Sequence, residues 1–365
     1  MNGATMNGAA MKPLALPDNP RVLVVALRRL GDVLLTTPLI RSVKRAWPGA
    51  SIDALVFAGT EGILSGNPDI AEVITLAQRP RVGETLALIR RLGKRYDLAL
   101  STQSGDRPTA LAWFAGRQSV GLIEADGLSA AVKRLALSRS CVSDHAQHRV
   151  LDVLRLADQV GIPAHGDIVC PSATARSALT PSHPYAVVHA APMFNYKRWT
   201  VAGWRTLAAA LGERGLGTAV TGAGGDRTYL DEVWHGSDVM RLDGKLSWPE
   251  LSALIGGARV YIGPDTAITH LAAASGTPTV ALYGPTDPRI WGPWPAGGLD
   301  RPWAAAGTIQ QRGKVWLVQN PLPCLPCQEE GCERRLDSHS QCLDELSVNQ
   351  VVVAVDKALA VRQAA

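Results

Sequence analysis

The chain has 365 residues, 46% hydrophobic and 5% aromatic, a size and composition that suit two α/β domains. No apolar run reaches the roughly 18–20 residues of a membrane span, and scarce aromatics without a binding motif argue against nucleic acid. The net charge of +5 is uneven: residues 1–180 hold 21 Lys/Arg against 15 Asp/Glu, the remainder 16 against 17, so an anionic partner would be drawn to the first half.

Residues 1–20 are rich in Met, Asn, Gly, Ala and Pro. They lack a signal peptide's basic and apolar regions and are expected to form a disordered leader. An intracellular, reducing setting follows, in which the six cysteines are not expected to build a disulfide framework.

Residues 21–27, RVLVVAL, form a continuous apolar run suited to a buried parallel strand. Arg28-Arg29-Leu30-Gly31-Asp32 follows, then an amphipathic stretch predicted as one helix over 33–46. Gly31 lets the backbone turn and approach a ligand, and Asp32 sits at the helix start, where a plain N-cap is the alternative. This is not G-x-G-x-x-G, and no acidic residue ends a second strand as a dinucleotide fingerprint would require. Further strands (51–57, 96–101) alternate with helical stretches (83–93, 148–160). Polar, proline-bounded residues 171–184 mark an interdomain linker.

A second series of strands starts at 185–189 and continues through 217–221 and 260–263 to 279–283. Gly263-Pro264-Asp265-Thr266 opens a helix over 266–275, whose unpaired N–H groups and positive dipole end suit a diphosphate. Asp265 and His270 are placed to face one ligand, the alternatives being an N-cap and a core histidine. A second Gly-Pro loop after 279–283 favours the ligand reading. Strand–helix alternation in both halves predicts two doubly wound parallel-sheet domains facing across a cleft. A closing helix is predicted over 348–361.

Taken together, LRRLGDVLLTTPLIRSVKRAWPGASIDALV, KRWT at 197–200 and GPDTAITHLAAASGTPTVALYGPTDPRIWGPW resemble glycosyltransferase family 9, over roughly residues 21–355. That family contains the bacterial lipopolysaccharide core heptosyltransferases. The tail CLPCQEEGCERRLDSHSQCLDEL looks most like their second and third types. The resemblance implies a GT-B fold: an acceptor-side domain at 21–170, a donor domain at 185–347 and a closing helix and tail at 348–365, the helix packing back on the first domain. It implies ADP-heptose as donor, an anionic lipopolysaccharide core as acceptor, and a cytoplasmic enzyme peripheral to the inner membrane.

Glycosyl transfer needs a base for the acceptor hydroxyl and positive groups aimed at the departing diphosphate. On the family's pattern Asp32 matches the base and Lys197 the residue that meets the diphosphate. Thr266 fits the phosphate loop, Asp265 and His270 fit sugar or phosphate contacts, Thr221 and Gly222 could lie against the nucleotide, and Asp226 could meet the ribose. Arg28, Arg29 and the cluster Arg90, Arg91, Lys94 and Arg95 are the natural contributors to attracting an anionic acceptor, though solvated helix faces explain the second cluster equally well. Where the family often carries hydroxyl residues, this chain has Ala190-Ala191-Pro192. Family members act without a divalent metal, so no catalytic cofactor is expected.

Cys324, Cys327, Cys332 and Cys342 follow C-x2-C-x4-C-x9-C, the count and proximity of a tetrahedral thiolate site holding structural zinc or, next, iron; free thiols are the alternative. Other functions in view are an autotransporter protein heptosyltransferase, an epimerase of the same architecture, and a non-catalytic nucleotide-sugar-binding protein.

Overall fold

The structure, a computed structural model, describes residues 13–172 and 177–363. The first series of elements is β1 (Arg21–Ala26), α1 (Leu30–Leu34), α2 (Thr37–Ala46), β2 (Ser51–Phe57), β3 (Glu72–Leu76), α3 (Val82–Leu92), β4 (Tyr96–Ser101), α4 (Asp106–Ala115), β5 (Gly116–Ile123), α5 (Leu128–Ala136), β6 (Arg139–Val142) and α6 (Arg149–Val160). Its strands form one parallel sheet, ordered β3-β2-β1-β4-β5-β6. The second series is β7 (Tyr185–His189), α7 (Val201–Glu213), β8 (Gly217–Thr221), α8 (Arg227–Val233), β9 (Met240–Arg241), α9 (Trp248–Gly257), β10 (Val260–Pro264), α10 (Ala267–Ala274), β11 (Thr279–Leu282), α11 (Pro288–Trp291), β12 (Ile309–Arg312), β13 (Val315–Val318), α12 (Gln341–Asp344) and α13 (Val348–Gln363). These strands are ordered β12-β13-β11-β10-β7-β8-β9, parallel except for the edge strand β12.

Both sheets reverse their winding beside their first strand, between β1 and β4 and between β7 and β10. At such a switch point the flanking helices leave for opposite faces, and a crevice opens at the carboxyl ends of the strands. The apolar run of β1 is consumed on both faces: Val22 and Val24 join a cluster with α2 and α6, whereas Leu23 and Val25 join α3 and α4. A third cluster belongs to both sheets. Val33 and Leu34 of α1 pack with Ile268 and Leu271 of α10, together with Tyr185, Leu254 and Tyr261.

Three expectations are corrected. The helix expected over 33–46 is two helices, because Pro38 lies in the first turn of α2 and interrupts any continuous ladder. Residues 1–12 of the expected leader lie outside the described residues, but residues 13–20 lie along the first domain. Leu14 and Leu16 pack on its core, and the Leu14 N–H donates to the Val160 carbonyl at 3.1 Å. The closing helix packs on the second sheet. Val351, Ala354, Val355 and Ala358 of α13 recur at helical spacing and enter the core with α7, β10, β11 and β13. Of the expected linker, residues 173–176 lie outside the described residues. Among the described residues, no helix is long and apolar enough to cross a membrane.

A second interdomain contact lies at His148, which caps α6 by accepting from the Val150 N–H and donates from Nε2 to the Gly292 carbonyl at 2.8 Å. Its ring lies 4.7 Å from that of Trp294, whose indole N–H donates to the Gly166 carbonyl. Burial pushes the His148 imidazole down to about 4, the Gly292 carbonyl opposing this only in part. His189, also buried, is held at about 4. Unfolded histidines titrate near 6.5, so the unfolded chain binds more protons than the folded one between the two values. This stability is complete above about pH 6.5 and is lost as pH falls toward 4, on the order of 3 kcal/mol per histidine. Thermal midpoints measured across that window should therefore fall steeply, and His148→Gln should flatten the fall, leaving the share of His189. An unchanged pH slope in the variant would remove His148 from the account.

Candidate functional site

Three of the loops at the two switch points carry the predicted residues: Asp32 follows β1, Lys197 follows β7 and Asp265 follows β10. Asp32 is not the cap of its helix. The N-cap position is Arg29, with extended backbone and no side-chain cap bond, and Asp32 lies inside the first turn. Its carboxylate instead pairs with Arg28 at 3.1 Å and lies 3.8 Å from Nε of Arg149. Arg149 is buried at the start of α6, where its other nitrogens bond Asp152 and the Thr102 carbonyl. Gly31 brings this turn against the opposite domain: a Cβ there would lie 3.7 Å from both Ala267 Cα and His270 Cδ2.

In the second domain the capping question resolves the same way. Thr266 is the N-cap of α10, its hydroxyl accepting from the Thr269 N–H, which leaves the Asp265 carboxylate for other partners. Lys197 Nζ lies 2.5 Å from Asp265 Oδ2, and the Thr286 hydroxyl donates to the same oxygen at 2.7 Å. Asp265 is only 8% exposed. Burial alone would raise its pKa, but the charge of Lys197, that of His270 when it is protonated, and the bonds from Lys197 and Thr286 hold it below the usual carboxylate range. His270, in the first turns of α10, is buried, and burial drives its imidazole down more than Asp265 and Asp32 push it up. Its Nδ1 has no hydrogen-bond partner among the described residues. Asp32 and Asp265 thus act on one imidazole from opposite domains.

The remaining predicted residues lie around this centre. Arg29 crosses to the other domain, its guanidinium 4.8 Å from the centroid of Phe194 in the loop after β7. Ala190 and Ala191, at the start of that loop, are buried and offer no hydroxyl. Thr221 ends β8, one strand over, with its hydroxyl 3.2 Å from Nδ1 of His189. Gly222 follows it against Leu230: a Cβ there would come within 2.4 Å of Leu230 Cδ1. Asp226 is engaged locally, accepting from the Ala223 N–H at 2.9 Å.

Two residues of the centre were missed in the sequence. Thr286 sat in the second Gly-Pro loop and could have been found there. Arg149 had no local signal, since only the fold brings the start of α6 beside the β1 loop.

The four-thiolate site is corrected. Cys324 and Cys332 are exposed, whereas Cys342 enters the core of the second domain beside Gly284. Burial first, then the neighbouring Cys327, Cys332 and Cys324, push the Cys342 thiol up to about 12. Among the described residues, no group of three or more His, Cys, Asp or Glu is arranged to hold a metal ion. Spacing alone counted four thiols without seeing that one of them packs.

The arrangement offers a carboxylate on one domain, facing a lysine, a histidine and a helix N-terminus on the other. That suits proton abstraction beside an anionic leaving group. Comparison with known proteins supplies the family. The family model Glycosyltransferase family 9 (heptosyltransferase) matches residues 85–298. Lipopolysaccharide heptosyltransferase 1 of Pseudomonas aeruginosa is 27% identical, over 90% of this chain and 92% of its own length. Lipopolysaccharide heptosyltransferase 3 of Escherichia coli is 30% identical, over 73% and 84%. The solved structure of the E. coli ADP-heptose lps heptosyltransferase II superposes with a TM-score of 0.71 at 18% identity, over 94% of this chain and 99% of that one, which makes the fold GT-B. The chain is a glycosyltransferase and belongs to glycosyltransferase family 9, the heptosyltransferases.

Proposed function

We propose that the protein is an inverting enzyme that moves heptose from ADP-heptose to the inner core of lipopolysaccharide, working at the cytoplasmic face of the inner membrane. The observation that carries this reading is the approach of the Asp32 turn to His270 and the start of α10 across the two switch points, with the Lys197–Asp265 pair on the same side as His270. The substrates named for its relatives supply donor and acceptor.

In this reading the acceptor hydroxyl oxygen attacks the anomeric carbon while Asp32 takes its proton. The bond from that carbon to the diphosphate breaks, and ADP departs with the electron pair. Lys197 and the N–H groups opening α10 at Thr266 meet the charge that develops on the diphosphate. Asp265 anchors the Lys197 ammonium, and Arg28 and Arg149 anchor Asp32. His270, kept neutral by burial, offers a hydrogen bond to sugar or phosphate. Thr221, Gly222 and Asp226 line the nucleotide end, and Arg28 and Arg29 also meet acceptor anions. The positive charge at the leaving group comes from the chain itself, so no cofactor is assigned to the transfer.

Mass spectrometry of core oligosaccharide tests the whole reading. Purified protein with ADP-heptose should add one heptose to the core from a strain lacking this protein. An unchanged core in both the strain and the reaction would overturn it.

Asp32→Asn should lower turnover by roughly 10²–10⁴-fold with donor affinity close to the parent. Near-normal turnover would return Asp32 to a purely structural role. Lys197→Ala should weaken donor binding and also leave a buried carboxylate unpaired, at a cost of about 3–5 kcal/mol in unfolding free energy. Lys197→Arg should restore only part of the donor binding, since a broad guanidinium does not replace a compact ammonium. Calorimetric donor titration together with chemical denaturation separates the two losses. Parental values in both would displace Lys197 from the diphosphate.

A further inference from the structure

Among the described residues, twelve large hydrophobic side chains are exposed, and six of them lie on α3, α4 and α5. These three helices are neighbours on the face of the first sheet opposite α2 and α6. Val82 is 77% exposed, Leu86 48%, Trp113 47%, Leu128 83%, Val132 56% and Leu135 89%. Such a concentration marks an interaction surface, whereas single exposed apolar residues do not. Between α3 and α4 runs a groove of about 310 Å³, lined by Leu76, Leu88, Ile89, Leu111, Trp113 and Phe114 among others.

Its surroundings are cationic. Residues 79–136, which span the three helices, hold ten Lys/Arg against five Asp/Glu. Arg79, Arg81, Arg90 and Arg95 are exposed, and the Lys94 ammonium lies 5.3 Å from the centroid of the Trp113 ring. Apolar side chains interleaved with Lys and Arg, with an aromatic beside a cation, are the chemistry of an interfacial surface.

We propose that the α3–α5 face docks on a bilayer of anionic lipid, the apolar groups entering between headgroups and the arginines pairing with their phosphates. Charge complementarity selects this occupant. A second copy of the chain meeting the same face would oppose one cationic surface with another. All strands of the first sheet are parallel, so α1, α3, α4 and α5 all start from its carboxyl edge. A docked enzyme therefore holds the Asp32 loop on the edge from which these helices start. The purpose of that placement, though not the docking itself, rests on the proposed lipid-borne acceptor.

The test is co-sedimentation of the full chain with vesicles of phosphatidylcholine alone or mixed equally with phosphatidylglycerol. Binding is expected only to the mixed vesicles and should weaken with added salt. Arg79→Glu with Arg81→Glu should lower it by at least about tenfold, and Val82→Ser with Leu86→Ser and Leu128→Ser by roughly as much. Both variants should keep the parental melting temperature and the parental rate on lipid-free core oligosaccharide. Parental binding by both variants, no preference for the anionic vesicles, or a dimer that the serine variant dissolves in light scattering would each overturn the proposal. Lost docking with intact transfer to lipid-free core leaves the proposed function standing, whereas intact docking without transfer overturns that function alone.

Discussion

The site depends on one apolar contact, the packing of α1 against α10. Val33 and Leu34 on one side, and Ile268 and Leu271 on the other, are almost fully buried in a cluster that also draws on both sheets. Each helix begins at the switch point of its own sheet, so burying their apolar stripes forces their first turns together. The polar residues of those turns, Asp32 and His270, have no freedom to be elsewhere. Gly31 sits within ordinary contact distance of α10 and keeps the approach free of any side chain.

Around that contact the charges are arranged to stay charged. A buried carboxylate is costly unless paired and hydrogen-bonded, and Asp265 has both a lysine and a threonine hydroxyl on one oxygen. Asp32 lies between Arg28 and Arg149, drawn from the sequence on either side of most of the first domain. The carboxylate proposed as base and the lysine proposed for the diphosphate are thus held by different domains. A change that tilts one domain alters the distance between them without touching either residue.

How much of this was legible in the sequence varied with the range of the interaction. Strands β1 and β7 could be read because parallel strands buried on both faces are apolar without interruption. Asp265 and His270 could be read because a strand, a Gly-Pro turn and a helix lie within a dozen residues. Whether those acids were caps could not be read: it turned on Thr266 competing with Asp265, and on the backbone at Arg29. Arg149 was invisible because nothing near it in the chain touches Asp32. The break between α1 and α2 is marked in the sequence by Pro38, but the amphipathic pattern runs across it and masks it. The destination of α13 and the burial of Cys342 were settled by tertiary packing that spacing cannot report.

The His148 and Trp294 contacts carry a consequence for the autonomy of the two halves. Trp294 belongs by sequence to the second series but lies in the core of the first, and the shared cluster around α1 and α10 belongs to both. A chain severed between residues 171 and 184 would leave each fragment with a raw apolar surface that only the other fragment fits. The halves are therefore not interchangeable modules. Expressed as separate polypeptides they would reassociate noncovalently to regain their cores, and a foreign half grafted onto either would have to reproduce this buried seam before it could reproduce the chemistry.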